Sequence, residues 1–556
     1  MGRLFFWLLI ILLIILGIRY LVPTSLNTAQ IDLYGLVPKD AVYIIETDKP
    51  IEQWEHFKGG AIWNFLKKND YLASINQQVE ALNETLSGKE GTLKYILHGK
   101  MLTSAHITAP NTYDFLYLLN LDKVGPLTDI PILMRSLFKG AGYQVSPEKY
   151  GQQIIYNLYD KTSNSNLYIA FKDNALIASY RASLVHKALD TAAQPYYSTD
   201  SLFVSLKNRV HPEGLSNVYI NHLQMFDLAN CYGSTQNTPL TAIEDMLSMS
   251  AMNLNVEDQY IQLQGQSAVN TKTSSYLKAL LTIDKAPLNA PAVLPDNTSF
   301  FSSITFDDFP TLQKALRDLK VMPPPTEPDG NTIGEALLNK LQAEIENEIP
   351  NWIDREITLA LVPKPNSSGN DQAYVAVLPL GDKRDAIAEK LSKIIYTIDQ
   401  LNPFSIFKNE KKHEYMDYRI IRLPVEGLLR RTAGDFFKDM GKANLCLIDN
   451  FLVFCDDESV IKSIIEAFEN GQTLAGNSNF QNFFARFNRQ SNIFTYLQTQ
   501  TFYPVLLDKL NESKKQQLIK NKDYFLQFPQ VAFQMLPDDD NLYRTSFYAE
   551  FNAQTQ

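Results

Sequence analysis

The sequence predicts an α+β protein: two tandem copies of one antiparallel-sheet-plus-helices unit behind a single N-terminal transmembrane helix. Three observations support this prediction. The second half of the 556-residue chain repeats segments of the first half in the same order. Strand-like segments follow one another through short turns, which indicates antiparallel pairing, and helical segments come between hairpins rather than after every strand. The chain also opens with a long apolar run.

The N-terminal segment has the length and composition of a membrane anchor. Leu4–Val22 is interrupted only by Arg19, whose long side chain can reach the lipid headgroups. A helix over this range spans about 28 Å, close to the thickness of the hydrocarbon core. A cleaved signal peptide is the alternative, but the run exceeds the usual apolar region of roughly 7–15 residues and no clear cleavage site follows. We expect residues 1–22 to be an uncleaved signal-anchor and residues 23–30 a tether.

The charges around this segment set its orientation only weakly. Arg3 lies before the apolar run and Arg19 at its far end, so the positive charge is nearly balanced between the two sides. The segment otherwise resembles an export signal-anchor, which favours export of the large C-terminal part. We therefore expect a single-pass protein of the inner (cytoplasmic) membrane, with its body in the periplasm.

The duplication is visible as segments that recur in a fixed order, which is typical of a repeated structural plan. Three matched pairs are residues 36–40 with 293–297, 166–190 with 444–469, and 216–220 with 491–495. They predict a first α+β repeat over residues 31–275, a linker over residues 276–294 and a second repeat over residues 295–556. Each repeat is long enough to bury its own core.

Both repeats are predicted to contain the same series of elements. Each opens with a strand, Ala41–Thr47 or Phe300–Ile304, followed by a helical region and a long hairpin. A second hairpin has Asp-Asn at its turn, because both residues tolerate the left-handed backbone of tight turns. A helix with Ser183 or Ser459 as its N-cap follows, and two more strands close the repeat. The second repeat also contains an amphipathic helix, Ile333–Ile349.

Composition and charge exclude several classes of protein. With 45% hydrophobic and 20% charged residues, the chain is globular rather than disordered. The formal net charge is −10, and lysine and arginine are scattered along the chain. This pattern argues against a nucleic-acid partner, whose phosphates require a basic face. It also argues against electrostatic adhesion to an anionic membrane surface.

Three cysteines make no disulfide framework. The predicted turn at Asp449-Asn450 pairs Cys446 with Val453 and leaves Cys455 one diagonal step away. The two Cα atoms would then be roughly 7–8 Å apart, which is too far for a disulfide. We expect buried free thiols.

No motif in the sequence predicts a catalytic, cofactor-binding or metal-binding residue. The signatures of serine hydrolases, zinc peptidases, phosphate-binding loops and dinucleotide-binding folds are absent. Asp307-Asp308 and Asp456-Asp457 could form acid–base pairs, but Asp456-Asp457 lies at a turn-to-helix junction, where acids favour the helix N-terminus. Asp538–Asp540 lacks the spacing of a calcium-binding loop and lies at a hairpin tip, where solvated carboxylates are ordinary. The histidines occur singly, without the spacing of metal ligands: His56, His98, His106, His186, His211, His222 and His413. We therefore assign no catalytic, cofactor, metal or binding residue.

Several of these segments together resemble a known family. They are the apolar N-terminus, the opening at Val37–Ala41, the strand at Asp354–Leu361, the strand-turn-strand-helix at Asn444–Phe468, and the segment Phe480–Thr495. The chain resembles the membrane-anchored envelope proteins of Bacteroidetes-type bacteria called domain of unknown function 3352. The resemblance covers most of residues 31–552 and implies location and architecture rather than a mechanism.

The sequence thus favours a non-catalytic, membrane-anchored cell-envelope protein that binds or organises an extracytoplasmic partner. That partner would be an envelope protein or an apolar ligand, and the membrane would be contacted through Leu4 to Val22. One alternative is a carrier or chaperone for an apolar ligand or envelope protein, which requires a large apolar groove. Another is an unrecognised envelope hydrolase, which requires titratable groups that converge in a pocket.

Overall fold

Short runs rich in Val, Ile, Tyr and Phe form most of the strands of this chain. The computed structural model describes residues 31–69, 99–110, 112–121, 143–160, 164–210, 214–231, 246–322, 343, 345–365, 371–401, 413–539 and 541–552. The chain divides into two units: unit 1 is Met1–Gly233, Ser248–Gln266 and Ala553–Gln556, and unit 2 is Ser234–Leu247 and Ser267–Asn552.

The described residues form ten strands in and around unit 1, of which Leu247 of β9 and residues 267–269 of β10 belong to unit 2. The strands are β1 (Ala41–Thr47), β2 (Met101–Ala109), β3 (Thr112–Asn120), β4 (Tyr143–Tyr150), β5 (Gln153–Asp160), β6 (Ser165–Lys172), β7 (Ala175–Ser179), β8 (Ser216–Asn221), β9 (Leu247–Glu257) and β10 (Tyr260–Val269). Their order is β4-β5-β6-β7-β3-β2-β1-β8-β9-β10, and every pairing from β4 to β9 is antiparallel.

The helices of unit 1 follow β1, β7 and β8. They are α1 (Pro50–Gly59), α2 (Ala61–Leu66), α3 (Ala182–Thr191), α4 (Ser201–Lys207) and α5 (His222–Asn230), and a 3-10 turn (Leu33–Leu36) precedes β1.

Unit 2 repeats this plan. Its main strands are β12 (Phe300–Thr305), β13 (Glu356–Pro363), β14 (Gln372–Pro379), β15 (His413–Tyr415), β16 (Tyr418–Glu426), β17 (Lys442–Ile448), β18 (Phe451–Cys455), β20 (Ile493–Gln498), β21 (Gln530–Pro537) and β22 (Leu542–Glu550); β11 (Ala286–Pro287) and β19 (Gln490–Ser491) form a separate pair. The order is β15-β16-β17-β18-β14-β13-β12-β20-β21-β22, antiparallel throughout.

The helices of unit 2 are α6 (Tyr276–Leu280), α7 (Phe309–Asp318), α8 (Arg384–Leu401), α9 (Leu428–Ala433), α10 (Glu458–Glu469), α11 (Ser478–Phe484), α12 (Thr499–Lys509), α13 (Glu512–Lys520) and α14 (Lys522–Leu526). Residues 345–352 are also helical. Short 3-10 turns occur at Ala290–Ala292, Gly381–Lys383 and Asp435–Phe437.

The strand orders of the two units correspond one to one. Ile44 of β1 lies opposite Tyr219 of β8, and Phe301 of β12 lies opposite Tyr496 of β20. The predicted mixture of helices and antiparallel strands in a repeated plan is confirmed. The repeat boundaries remain predictions.

The Asp-Asn turns are also equivalent. Asp173 and Asp449 both have positive φ angles, 52° and 46°, which Asp tolerates better than most residues. The Asn174 carbonyl accepts the Leu121 amide at 2.7 Å, and Asn450 accepts the corresponding amide of unit 2 at 3.0 Å. Both turns therefore occupy the same place in the fold.

Two details of the sequence prediction are wrong. The match of residues 216–220 with 491–495 is slipped by two positions, because the strand register makes Tyr496 the counterpart of Tyr219. A two-residue slip keeps side chains on the same face, so the alternating pattern does not reveal it. The helix caps also lie earlier than Ser183 and Ser459: α3 begins after Arg181 and α10 after Asp457.

Residues 276–294, predicted as a linker, are built into unit 2. They hold α6, β11 and a 3-10 turn, and their buried side chains include Tyr276, Leu280 and Val293. Tyr543 donates a hydrogen bond to the Leu277 carbonyl at 2.8 Å. This stretch therefore contributes to the core of unit 2.

The N-terminal prediction falls on a part of the chain that the structure does not describe. Leu4–Val22 and residues 23–30 lie outside the described residues, as does most of the predicted helix Ile333–Ile349. Within the ranges that are described, no helix is long and apolar enough to cross a membrane.

The sheet of unit 2 is covered on both faces. On one side, Ile304 packs in a core with Leu312 of α7. On the other side, the Phe301 ring lies 6.4 Å from Phe480 of α11 and 5.5 Å from Tyr496. Unit 1 has an equivalent aromatic core on this second side.

Candidate functional site

The equivalent face of unit 1 carries a set of polar side chains that differs from that of unit 2. Side chains alternate along β1 and β2, so Glu46, Ser104 and His106 point to the same side of the sheet. Asn217 lies opposite Glu46, and Tyr219 two positions along β8. We call this set, together with Asp40 and Lys100, the polar face of unit 1.

Part of the polar face forms a hydrogen-bonded relay. Ser104 Oγ and His106 Nε2 are 2.8 Å apart, and His106 Nδ1 lies 3.0 Å from Asp40 Oδ1. Lys187 of α3 donates to the second oxygen of Asp40 at 2.8 Å. Burial raises the pKa of Asp40, but the hydrogen bonds from His106 and Lys187 outweigh it and hold the pKa well below its usual range. The relay therefore connects the start of β1, β2 and α3.

A buried carboxylate forms the second part of the polar face. Glu46 is only 4% exposed and makes an ion pair with Lys100. Its other oxygen accepts hydrogen bonds from Tyr219 at 2.6 Å and Asn217 at 3.2 Å. Burial alone would raise the pKa of Glu46, but these donors lower it, so the carboxylate stays charged. Asn253 in turn donates to the Asn217 side chain at 3.2 Å.

The order of groups in the relay is that of a serine hydrolase, in which a carboxylate orients a histidine that activates a serine. However, a nucleophile has to meet its substrate, and Ser104 is 1% exposed and His106 0%. Beside the relay lies a recess with an empty volume of about 150 Å³, lined by Ala41, Tyr43, Ile44, Tyr197, Tyr219, Ile220, Asn221 and Met249. In this conformation the relay joins elements of the fold rather than facing a substrate pocket.

Unit 2 replaces most of these groups. By strand register, Ala360 stands in the position of Ser104, and Ser303 in that of Glu46. The matched segments place Asn297 at the position of Asp40.

One acidic residue is nevertheless buried in unit 2. Glu356 is fully buried and accepts hydrogen bonds from the amides of Asn289 (2.6 Å) and Ala290 (3.2 Å) and from the Thr358 hydroxyl (2.8 Å). Burial raises the pKa of Glu356, and these hydrogen bonds only partly offset that effect. Glu356 thus holds the segment before β12 against β13.

A family model described as a protein of unknown function (DUF3352) matches residues 133–397 and 326–532. The two matches overlap and together cover residues 133–532, which is more than half of the chain. The chain belongs to this family. Two overlapping DUF3352 matches agree with a repeated domain. No curated protein and no solved structure matches the chain.

The histidines weighed as site residues are mostly separated in this DUF3352 protein. His222 contacts Ser250 at 2.6 Å, and burial lowers its pKa to about 4. His186 stacks on Tyr150 at 4.2 Å. His56 and His413 lie on α1 and β15, and His98 and His211 lie outside the described residues. His106 is the histidine that the fold brings into a cluster.

The acidic candidates serve mainly as caps and turns. Asp308 accepts from the Thr311 amide at 2.8 Å, and Asp457 from the Ser459 amide at 2.9 Å, as N-caps do. Asp538 lies 3.8 Å from Arg544, and Asp540 is outside the described residues. In the described part of the chain, no group of three acidic, histidine or cysteine side chains could hold a metal ion.

The prediction of buried thiols is confirmed for Cys446 and Cys455. Cys446 pairs with Val453, and Cys231, Cys446 and Cys455 are buried and form no disulfide. Burial raises the pKa of Cys446 and of Cys455 to about 12, so both thiols stay protonated at neutral pH.

The sequence prediction missed Asp40, Glu46, Lys100 and Ser104. A signal for one of them was present, because Glu46 occupies an inward position in the otherwise apolar strand β1. Nothing local identified its partners, since Tyr219 is 173 residues away along the chain.

Proposed function

We propose that this DUF3352 protein is a non-catalytic cell-envelope protein of Bacteroidetes-type bacteria. It is anchored in the inner membrane by Leu4–Val22, and its duplicated body binds or organises a partner in the periplasm. The observation that carries the non-catalytic part is the burial of the relay. Ser104, His106 and Glu46 are satisfied by one another or by neighbours and are at most 4% exposed.

The contrast between the units supports the same proposal. Both keep the ten-strand order, yet only unit 1 carries the Asp40, Ser104 and His106 side chains. A duplicated scaffold that keeps its shape and changes its buried polar groups fits a role in presenting surfaces better than a role in catalysis.

A hydrolase is the second candidate, and one observation favours it: the Ser104–His106–Asp40 order of hydrogen bonds. A fluorophosphonate probe distinguishes the two functions, because it reacts covalently with an activated serine. We expect no labelling of the full-length protein in detergent. Labelling that disappears in Ser104→Ala, but persists in the matched variant Ser303→Ala of unit 2, would establish the hydrolase.

The carrier alternative has less support from the described residues. The recess of unit 1 has an empty volume of about 150 Å³. A recess of unit 2 near Leu423, Leu429, Met440 and Phe454 has about 230 Å³. Neither is the volume of an enclosed cavity, because both include space that is open to solvent. Neither recess favours the carrier function.

Crosslinking in native membranes tests the binding role. The full-length protein should crosslink to a defined envelope component. Replacement of Leu4–Val22 by a cleavable signal sequence should release the body and reduce that crosslink, because confinement to the membrane raises the effective concentration of the partner. A released body that keeps the same crosslinks and complements a deletion strain would contradict the anchoring role.

A further inference from the structure

We propose that helices α1 and α2 of unit 1, the aromatic helix pair (Pro50–Leu66), form a membrane-contact surface that lies in the headgroup region of the bilayer. This inference rests on the proposed function, because it requires Leu4–Val22 to be inserted in that bilayer.

The aromatic helix pair has its own small apolar cluster. Trp63 is buried, and Trp54, Phe57 and Leu66 pack on it while remaining half-buried. The Trp54 ring lies 4.8 Å from that of Trp63, and the Phe57 ring 5.4 Å from it. The cluster therefore presents partly exposed aromatic side chains at the surface of unit 1.

The equivalent helix of unit 2 is packed differently. Helix α7 follows β12 as α1 follows β1, but its apolar residues Phe309, Leu312 and Leu316 are 0% exposed and belong to the main core. On α1, by contrast, Trp54 and Phe57 are only half-buried. The fold itself therefore does not require the aromatic surface, since unit 2 forms the same topology with a fully buried helix.

The aromatic helix pair and the N-terminal entry of the chain lie at the same end of the unit 1 sheet. The Ile31 amide donates to the Asn174 side chain at 2.8 Å, at the turn between β6 and β7. That turn lies beside the end of β3. The end of β3 pairs with the start of β2, and Met101 at the start of β2 lies opposite Thr47 at the end of β1. Helix α1 begins three residues after Thr47.

The predicted tether would hold this end close to the bilayer. Three strand spacings between β1 and β7 correspond to about 14 Å. Residues 23–30 can extend by at most about 28 Å. A span over Leu4–Val22 would therefore leave the sheet end that carries Trp54 within reach of the lipid headgroups.

Lysines border the aromatic helix pair. Residues 49–68 contain four lysines and two glutamates, and Asp48 and Asp70 lie on either side of them. Lys49 and Lys58 pair with Glu52 and Glu55, and Lys67 and Lys68 directly follow Leu66 of the cluster. Tryptophan with nearby lysine is the combination that residues at the membrane interface favour.

The four tryptophans of the chain provide the test. Full-length variants that retain only Trp7, Trp54 or Trp352, with phenylalanine at the other three positions, are reconstituted in vesicles of phosphatidylcholine and phosphatidylglycerol. The acyl chains are either plain or brominated near the headgroup, and bromine quenches tryptophan on contact. Trp352 is 2% exposed in unit 2 and is the unquenched control.

We expect brominated lipid to quench the Trp7-only and Trp54-only proteins and to leave the Trp352-only protein unchanged. Quenching of Trp7 without quenching of Trp54 would overturn the membrane-contact surface and leave the anchor intact. Quenching of neither would contradict the anchor and the inference together.

A charge reversal provides a second measurement that does not depend on tryptophan replacement. Lys67→Glu with Lys68→Glu, in the Trp54-only protein, should reduce the quenching of Trp54. The matched reversal Lys514→Glu with Lys515→Glu on α13 of unit 2 should leave it unchanged. Equal effects of the two reversals, with circular dichroism unchanged, would contradict a local role for the aromatic helix pair.

Discussion

Units 1 and 2 share a strand order but differ in the chemistry of one sheet face. In unit 1 this face holds the Glu46–Lys100 ion pair and the Asp40–His106–Ser104 relay. In unit 2 Ser303 stands in the position of Glu46 and Ala360 in that of Ser104, with Glu356 as the buried acid of this face.

The difference teaches that strand order and helix placement do not depend on what fills this face. Uncharged Ser303 and Asn297 occupy positions where unit 1 has Glu46 and Asp40, and a buried polar group is tolerated when it has its hydrogen-bond partners. The polar face of unit 1 is therefore not required for the strand order. Its hydrogen bonds and ion pair determine which side chains of unit 1 contact one another. The variants below are expected to separate these contributions, from the largest effect to the smallest.

The largest effect is expected for Glu356→Ala in unit 2. It removes the acceptor of the Asn289 and Ala290 amides and leaves a cavity in a fully buried position. We expect a loss of about 3–4 kcal/mol in the free energy of unfolding. Urea unfolding of the full chain, with hydrogen exchange of residues 286–295, measures it.

Glu356→Gln is the matched control, because the amide keeps an acceptor oxygen without a charge. The raised pKa of Glu356 means that the folded state binds the proton more tightly than the unfolded state, so its contribution to stability declines as pH rises through the folded pKa. The Gln variant should lose less stability than the Ala variant and should lack this pH dependence. Equal losses in both would show that the acceptor oxygen is unimportant.

A smaller effect is expected when the ion pair of unit 1 is broken. Lys100→Met leaves the Glu46 carboxylate buried without its cation. We expect a loss of about 2–3 kcal/mol, below the roughly 3–5 kcal/mol of a fully buried pair, since Lys100 is partly exposed. The double variant Lys100→Met with Glu46→Leu should recover part of the loss. Hydrogen exchange of the β1 and β2 amides compares the two proteins. Faster exchange in the double variant than in the single variant would show that the polar network is required for stability.

Asp40→Asn makes unit 1 resemble unit 2, which has Asn297 at this position. Because Asp40 is partly exposed, we expect a loss of only about 1 kcal/mol at neutral pH. The lowered pKa of Asp40 means that its stabilisation is present above the unfolded pKa near 4 and is lost as pH falls through the folded pKa. The variant should therefore show a weaker loss of β2 protection between about pH 4 and pH 2 than the wild type. The same acid sensitivity in both proteins would exclude Asp40 as its cause.

The smallest effect concerns the helix after the Asp-Asn hairpin. Asp457 caps α10 through the Ser459 amide, whereas Arg181 at the start of α3 makes no side-chain cap. Asp457→Ala should destabilise unit 2 by about 1 kcal/mol. The matched Arg181→Ala should remove only an exposed ion pair with Asp114, with an effect of a few tenths of a kcal/mol. Thermal unfolding of both variants measures the difference, and a larger effect of Arg181→Ala would reverse this interpretation.

Local patterns predicted the elements of this fold well, and distant contacts less well. Apolar alternation and the Asp-Asn turns identified the strands and hairpins, and Cys446 was correctly paired with Val453, because these depend on neighbours in sequence. The helix caps were placed too late, since Asp457 and Ser459 are both good N-cap residues and only the backbone geometry separates them.

The polar face could not be predicted from the sequence, for a related reason. Asp40 lies 66 residues from His106, and Glu46 lies 173 residues from Tyr219. Each of these residues has an ordinary surface or core explanation by itself. Only the strand order brings them together, and no short motif encodes that order.

The placement of Glu356 has a consequence for anyone who divides this chain into fragments. A fragment that starts at Leu294 would lack the Asn289 and Ala290 amides, and Tyr543 would lose the Leu277 carbonyl. Such a fragment would expose the apolar surface vacated by α6 and would be prone to aggregation. The second repeat is predicted to start at residue 295, but unit 2 already includes residues 267–294. The predicted boundary of the repeat and the start of the second folded unit thus fall at different points of the chain.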